Sequence, residues 1–205
     1  MTTEHLTTLE NIHKAAKIEF LEKGFKSASL RNIVKTVGMT TGAFYGYYKS
    51  KEELFEALVG EHYNFMINRF NDAQREFANL PHEQQPENLS SISGLSMFDM
   101  LYYAYDHLEE FKLILCCSEG TRFAGLIDEM VEIELKATHD YKAVLEELGR
   151  PSPHIDTNLE HILITGMFNA FFELVIHEMP LNDAETYLKE MREFYTAGWM
   201  KIMGQ

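Results

Sequence analysis

A chain of 205 residues that is 45% apolar can bury a sizeable core, in one domain or in a small domain joined to a larger one. The net charge of −14 argues against nucleic acid as a partner only until its distribution is read. Lys23 to Lys51 holds six basic residues (Lys23, Lys26, Arg31, Lys35, Lys49 and Lys51) and no acidic one, while residues 61–205 hold ten basic and twenty-five acidic residues. A local basic patch is the footprint that DNA requires, and an acidic remainder limits non-specific adhesion.

Five prolines and twelve glycines leave long stretches without strong breakers, which favours helices. The first helix is expected from about Thr7 to Lys23, with Leu9, Ile12, Ala15, Ala16 and Phe20 on one face and Gly24 as its stop. Ser29 is placed to cap a short helix over Leu30 to Val37, ended by Gly38. Thr40 is placed to cap a third helix over Thr41 to about Tyr48, and Ser50 a fourth from Lys51 to about Phe77. Leu80 to Ser96, polar and holding Pro81 and Pro86, reads as a linker or irregular loop. Met97 to Leu148 reads as helix broken near Glu119–Gly120, and Arg150 to Pro153 as a loop. Thr157 to Met179 reads as a long apolar helix, broken by Pro180 before a last helix that runs to about Met203.

Two short helices joined by a tight turn are what a helix-turn-helix needs: the second enters the major groove and the first braces it. Ile33, Val34 and Val37 give the bracing helix its apolar face, and Gly38 supplies the left-handed turn. On the next helix, Phe44 and Tyr48 are expected to be buried. Ala43 and Tyr47 are then free to meet DNA, flanked by Thr41 and Tyr45.

Over Leu9 to Leu58 the chain resembles the TetR family of regulators. The likeness is carried in order and spacing by Ile12, Ala15, Ala16, Phe20, Gly24-Phe25, Ser29, Arg31, Ile33, Gly38-Met39-Thr40, Gly42, Phe44-Tyr45, Tyr48, Ser50-Lys51-Glu52 and Leu54. Val34, Tyr48 and Ser29 depart from the residues usual at their positions. The resemblance implies an all-α fold: an N-terminal three-helix DNA-binding domain over residues 1–50, then a larger helical ligand and dimerisation domain over residues 51–205. It also implies a DNA face of Ser29, Arg31, Thr40, Thr41, Gly42, Ala43, Tyr45, Tyr47 and Lys51. In that face Arg31 reaches base edges, and Tyr45, Tyr47 and Lys51 meet phosphates. The implied partner is double-stranded DNA with a near-palindromic operator, bound by a homodimer.

Beyond that segment the residues are less directive. Met97, Phe98, Leu101, Tyr102, Tyr105, Cys116, Phe123, Met130, Met167 and Phe171 are large and adaptable, as in pockets for small apolar or amphipathic ligands. Ile162, Gly166, Ala170 and Leu174, with Trp199, suggest a dimer interface on the last two helices. Cys116 and Cys117 are adjacent and form no disulfide framework. The histidines show no metal-ligand spacing, and no catalytic or cofactor motif is present, so no enzyme activity, metal or cofactor is expected. The first twenty residues lack the apolar run of a signal peptide, and no membrane-spanning run of about 18 apolar residues is read, which points to the cytoplasm. The expected function is a transcription regulator, a repressor released from its operator by a small molecule. The alternative is a helix-turn-helix regulator controlled by a protein partner or by no ligand.

Overall fold

The computed structural model describes residues 7–205, apart from the side chains of Ser90, Ser91 and Ser93. Residues 1–6, which the sequence assigns to the start of the DNA-binding domain, lie outside the described residues. The described chain is helical, without a strand: α1 (Thr8–Ser27), α2 (Leu30–Val37), α3 (Thr41–Phe44), α4 (Lys51–Ala78), α5 (Gln85–Asp106), α6 (Leu108–Cys117), α7 (Leu126–Glu147), α8 (Thr157–Ile176) and α9 (Leu181–Ile202). Short 3₁₀ turns at His82–Gln84 and Arg122–Gly125 precede α5 and α7.

The described residues fall into two compact units. The first runs through Asn64 and adds His107–Ala124; the second takes Phe65–Asp106 and Gly125–Gln205. The division falls within the unbroken helix α4 rather than at the residue 50/51 boundary drawn from sequence, because α4 supplies apolar residues to both cores. Leu54, Phe55 and Val59 are fully buried in the first, Met66 and Phe70 in or near full burial in the second.

The first unit is built on aromatic contacts. Phe20 and Phe25 both meet the edge or face of Phe55, at ring-centroid distances of 5.0 and 5.2 Å. Each large ring removed from water contributes on the order of 2–3 kcal/mol, and such pairs add somewhat more. In the second unit, Phe77 meets Tyr141 edge-on in a cluster with Leu145, Ile155 and Met203.

Two expectations are corrected. The stretch read as a linker, Leu80 to Ser96, is mostly helix: a 3₁₀ turn leads directly into α5. Its Pro86 stands in the first turn, where a missing N–H costs no hydrogen bond. The buried Gln85 amide donates to the carbonyl of Leu80. The third helix, expected to reach Tyr48, ends at Phe44 and continues as turns. There the Gly46 N–H bonds Ala43 and the Tyr47 N–H bonds Phe44, both three residues back. A Cβ at Gly46 would meet the Ala43 carbonyl at 3.2 Å, so the tightened turn suits glycine.

The statement that no segment is long and apolar enough to cross a membrane also needs correction: α8 is, by length and composition. Within the second unit it packs between α7 and α9, with Ile164, Phe168, Phe171, Phe172 and Val175 buried. Its other face is open.

Candidate nucleic-acid interface

The reading head is assembled by α1 to α4. α1 is capped reciprocally: the Thr7 side chain accepts from the Glu10 N–H, and the Glu10 carboxylate accepts from the Thr7 N–H. Gly24, at φ 69° and ψ 163°, breaks the helical run as expected. α2 spans the predicted residues, and Gly38 ends it in the left-handed region at φ 74°. Its N–H bonds the carbonyl of Lys35, and that of Met39 bonds Val34.

Ser29 holds the N-cap position of α2 but its hydroxyl makes no capping bond. A buried carboxylate ties that end of the helix to α1 instead. Glu19 accepts from the Ser29 N–H at 2.9 Å, from Asn32 at 3.2 Å and from Lys23 at 2.9 Å. The bond from Lys23 is the main cause that holds its carboxyl below the usual range, against the opposing pull of burial. Glu19 was not singled out from the sequence. The signal was there: an acid on the apolar face of α1, directly before Phe20.

Thr40 caps α3 through its hydroxyl, which accepts from the Ala43 N–H at 3.1 Å. Phe44 is fully buried and Tyr48 nearly so, as the helical phase predicts. The Tyr48 hydroxyl meets the His13 ring nitrogen across to α1. Burial raises the Tyr48 phenol and lowers the His13 imidazole, so a neutral pair is favoured.

Arg31, Thr40, Thr41, Gly42, Ala43, Tyr45 and Tyr47 are all exposed, with Tyr45 at 55% and Tyr47 at 46%. Ser29 is half-buried at the edge of this set. Two large aromatic rings held in water, in a segment that also exposes Arg31, Lys35 and Lys49, are a composition that gains by meeting a polyanion.

Lys51 is placed differently. Its ammonium donates to the carbonyls of Phe25 at 2.6 Å, Ala28 at 3.1 Å and Lys26 at 3.3 Å, and lies 4.5 Å from the Phe25 ring centroid. All three ammonium hydrogens therefore have internal acceptors. The residue that the resemblance assigns to a phosphate here ties the C-terminal end of α1 to the start of α4.

In the second unit a cavity of about 140 Å³ lies among α4, α5, α7, α8 and α9. Phe70, Phe77, Met97, Tyr141, Met167, Tyr195 and Trp199 line it, with Gln74, Glu134 and Arg192 as polar groups. Burial pushes the Glu134 carboxyl up to about 7, although the Gln74 amide donates to it at 2.6 Å and pulls the other way. Of the ten pocket residues expected, Met97 and Met167 line this cavity. Leu101, Met130 and Phe171 are fully buried. The Tyr105 hydroxyl donates to the carbonyls of Leu174 and Met179 at the end of α8. Phe98 lies under the Arg192 guanidinium, and Tyr102 is exposed. Cys116, exposed, and Phe123, packed on Phe55 and Tyr63, belong to the first unit.

Of the expected interface residues, Ile162 and Gly166 are exposed and Ala170 half-buried, while Leu174 is buried and Trp199 faces the cavity. The reason is helical phase: four-residue steps advance about 400°, so three of them carry Leu174 about 120° around from Ile162. The open stripe of α8 is Leu159, Ile162, Gly166, Asn169 and Glu173, and on α9 Tyr187, Phe194 and Gly198 are open, Phe194 at 73%.

Residues 12–58 match the family model described as bacterial regulatory proteins, tetR family. The chain is 26% identical over 167 residues to the probable HTH-type transcriptional regulator YttP of Bacillus subtilis, covering 78% of this chain and 76% of that one. It is 35% identical over 72 residues to the HTH-type transcriptional regulator UidR of Escherichia coli, 35% of this chain and 37% of the other. In fold it is similar to Salmonella enterica GusR, with a TM-score of 0.53 at 21% identity over 95% and 96% of the two chains. It is likewise similar to Bacillus subtilis FadR, solved in complex with stearoyl-CoA, with a TM-score of 0.56 at 17% identity over 92% and 98%. Over residues 12–58 the chain thus carries a segment that matches the tetR family of bacterial regulatory proteins, and the curated relatives it is similar to are described as HTH-type transcriptional regulators.

Proposed function

We propose that the protein is a cytoplasmic, homodimeric repressor that leaves a near-palindromic operator when a small amphipathic molecule enters the second unit. The observation that carries the ligand is the 140 Å³ cavity, apolar over most of its wall with a few polar groups to orient an occupant. Its size matches a ligand of about one ring, since a dry cavity of roughly 150 Å³ accepts benzene. FadR was solved with stearoyl-CoA, a far larger molecule, so the analogy extends to the existence of a ligand and not to its identity.

The DNA face is Arg31, Thr41, Gly42, Ala43, Tyr45 and Tyr47, with Ser29 and Thr40 at its border. Ala43 offers no side-chain hydrogen bond, so Arg31 carries much of the base readout. The open stripes of α8 and α9 support a two-fold interface, which the two half-sites of a palindrome require.

The test joins the three parts. Operators selected from a random DNA pool should be near-palindromes. Sedimentation should give a dimer at micromolar concentration that Ile162→Glu splits. A small-molecule thermal-shift screen should find ring compounds that stabilise the protein, release DNA and lose their effect in the cavity-filling variant Ala137→Leu. Absence of any such compound favours control by a protein partner, and a stable wild-type monomer removes the two-fold reading.

A further inference from the structure

We infer that the first unit contains a site for a divalent transition-metal ion, zinc foremost, held by His62, His107 and Glu110. His62 stands on α4. His107 is the residue that precedes α6, and Glu110 lies in the first turn of that helix. One donor atom from each lies within 4.8 Å of those of the other two, and all three residues are half-buried. The imidazole rings of His62 and His107 are 4.4 Å apart at their centroids, and the buried Phe111 closes one side, 6.4 Å from His62. Donors bound about 2 Å from a tetrahedral ion sit roughly 3.3 Å from one another. Small side-chain rotations on fixed helices therefore suffice to bring these three onto one centre.

The chemistry of the set selects the ion. Two imidazoles and a carboxylate suit Zn²⁺, Ni²⁺ or Co²⁺; they lack the thiolates of a soft-metal site and the oxygen-rich shell of a calcium site. A fourth position remains for water, as in other sites with two histidines and one glutamate. The spacing 62, 107 and 110 forms no local motif, which is why the sequence did not show it.

The surroundings add a consequence. Lys17 of α1 donates to Glu110, and to Glu109 at 3.2 Å. A metal at Glu110 takes the place of the ammonium as its positive partner and leaves Lys17 to Glu109 alone. The ion thus competes for a tie between α1, which carries the reading head, and α6. This is a binding site distinct from the cavity of the second unit, and its metal affinity does not depend on the repressor reading.

The experiment is a competition titration of the full chain with zinc against a chromophoric chelator, paired with visible spectra of the cobalt form. The wild type should bind a single ion and give cobalt bands without sulfur charge transfer. His62→Ala and Glu110→Gln should bind at least roughly ten-fold more weakly. Cys116→Ser and His154→Ala should bind as wild type does, and Lys17→Met should bind several-fold more tightly. Should His62→Ala fail to fold by circular dichroism, Glu110→Gln and Lys17→Met decide. No zinc bound at about 100 μM, affinity unchanged in Glu110→Gln, or loss of the ion in Cys116→Ser would overturn the site.

Discussion

The two units differ in where particular polar groups stand. In the first, three of them close bonds among α1, α2 and α4 or the segment after α3: Glu19 holds the start of α2, Lys51 the end of α1, and Tyr48 meets His13. In the second, Glu134 borders a cavity with the Gln74 amide as its hydrogen-bond donor, and burial drives its carboxyl toward the neutral form. A satisfied network rigidifies; a carboxyl beside an apolar void is held at a cost. The comparison separates a part tied together by its polar contacts from a part that leaves a cavity beside a carboxyl.

The largest expected effect is at Lys51. Lys51→Ala leaves three carbonyls without their charged donor and should destabilise the protein by about 2–3 kcal/mol in urea unfolding. If Lys51 acts as an internal anchor alone, the variant's effect on the salt dependence of DNA binding should be small. A salt slope reduced by about one per contact would restore the phosphate role.

Glu134 comes next, through pH. A carboxyl raised to about 7 when folded binds more protons in the native state than in the unfolded chain. Stability therefore falls as pH rises from about 4.5 to 7, by on the order of 2–3 kcal/mol. Glu134→Gln should flatten this slope, with a gain at pH 8 and little change at pH 4. An unchanged slope would remove Glu134 from the account of the cavity.

Glu19 has the opposite sign. Its folded carboxyl lies below the ordinary value, so its contribution is present above about 4.5 and is lost as pH falls through the lowered value. Glu19→Gln should destabilise by about 1–2 kcal/mol at pH 7 and by much less at pH 3, as measured by denaturant titration at the two values.

The same contrast explains what the sequence revealed. α2 and its glycine stop were readable because a cap position, a two-turn apolar face and a left-handed turn are local features. The burial of Phe44 and Tyr48 followed from a 100° advance per residue. The tasks of Glu19 and Lys51 were hidden because their partners lie 10 and 23–26 residues away. The cavity was hidden for the same reason: five helices form it, and richness in methionine and tyrosine over 97–105 does not predict which side chains meet a void. The polar run over 80–96 misled because a proline in the first turn of a helix looks, in sequence, like a proline in a loop.

The smallest effects on stability belong to the exposed face, and there the central claim is most directly tested. Fluorescence-anisotropy titrations on a selected operator and on scrambled DNA, at several salt concentrations, should be run for Arg31→Ala beside Lys51→Ala, with urea unfolding of both. Arg31→Ala should unfold within about 0.5 kcal/mol of wild type yet lose roughly 1–3 kcal/mol per half-site on the operator and relax one base position. Lys51→Ala should show the reverse, a less stable protein whose folded fraction keeps the wild-type salt slope. Normal operator affinity in Arg31→Ala, or a stable Lys51→Ala with a shallower salt slope, would contradict the division between readers and anchors.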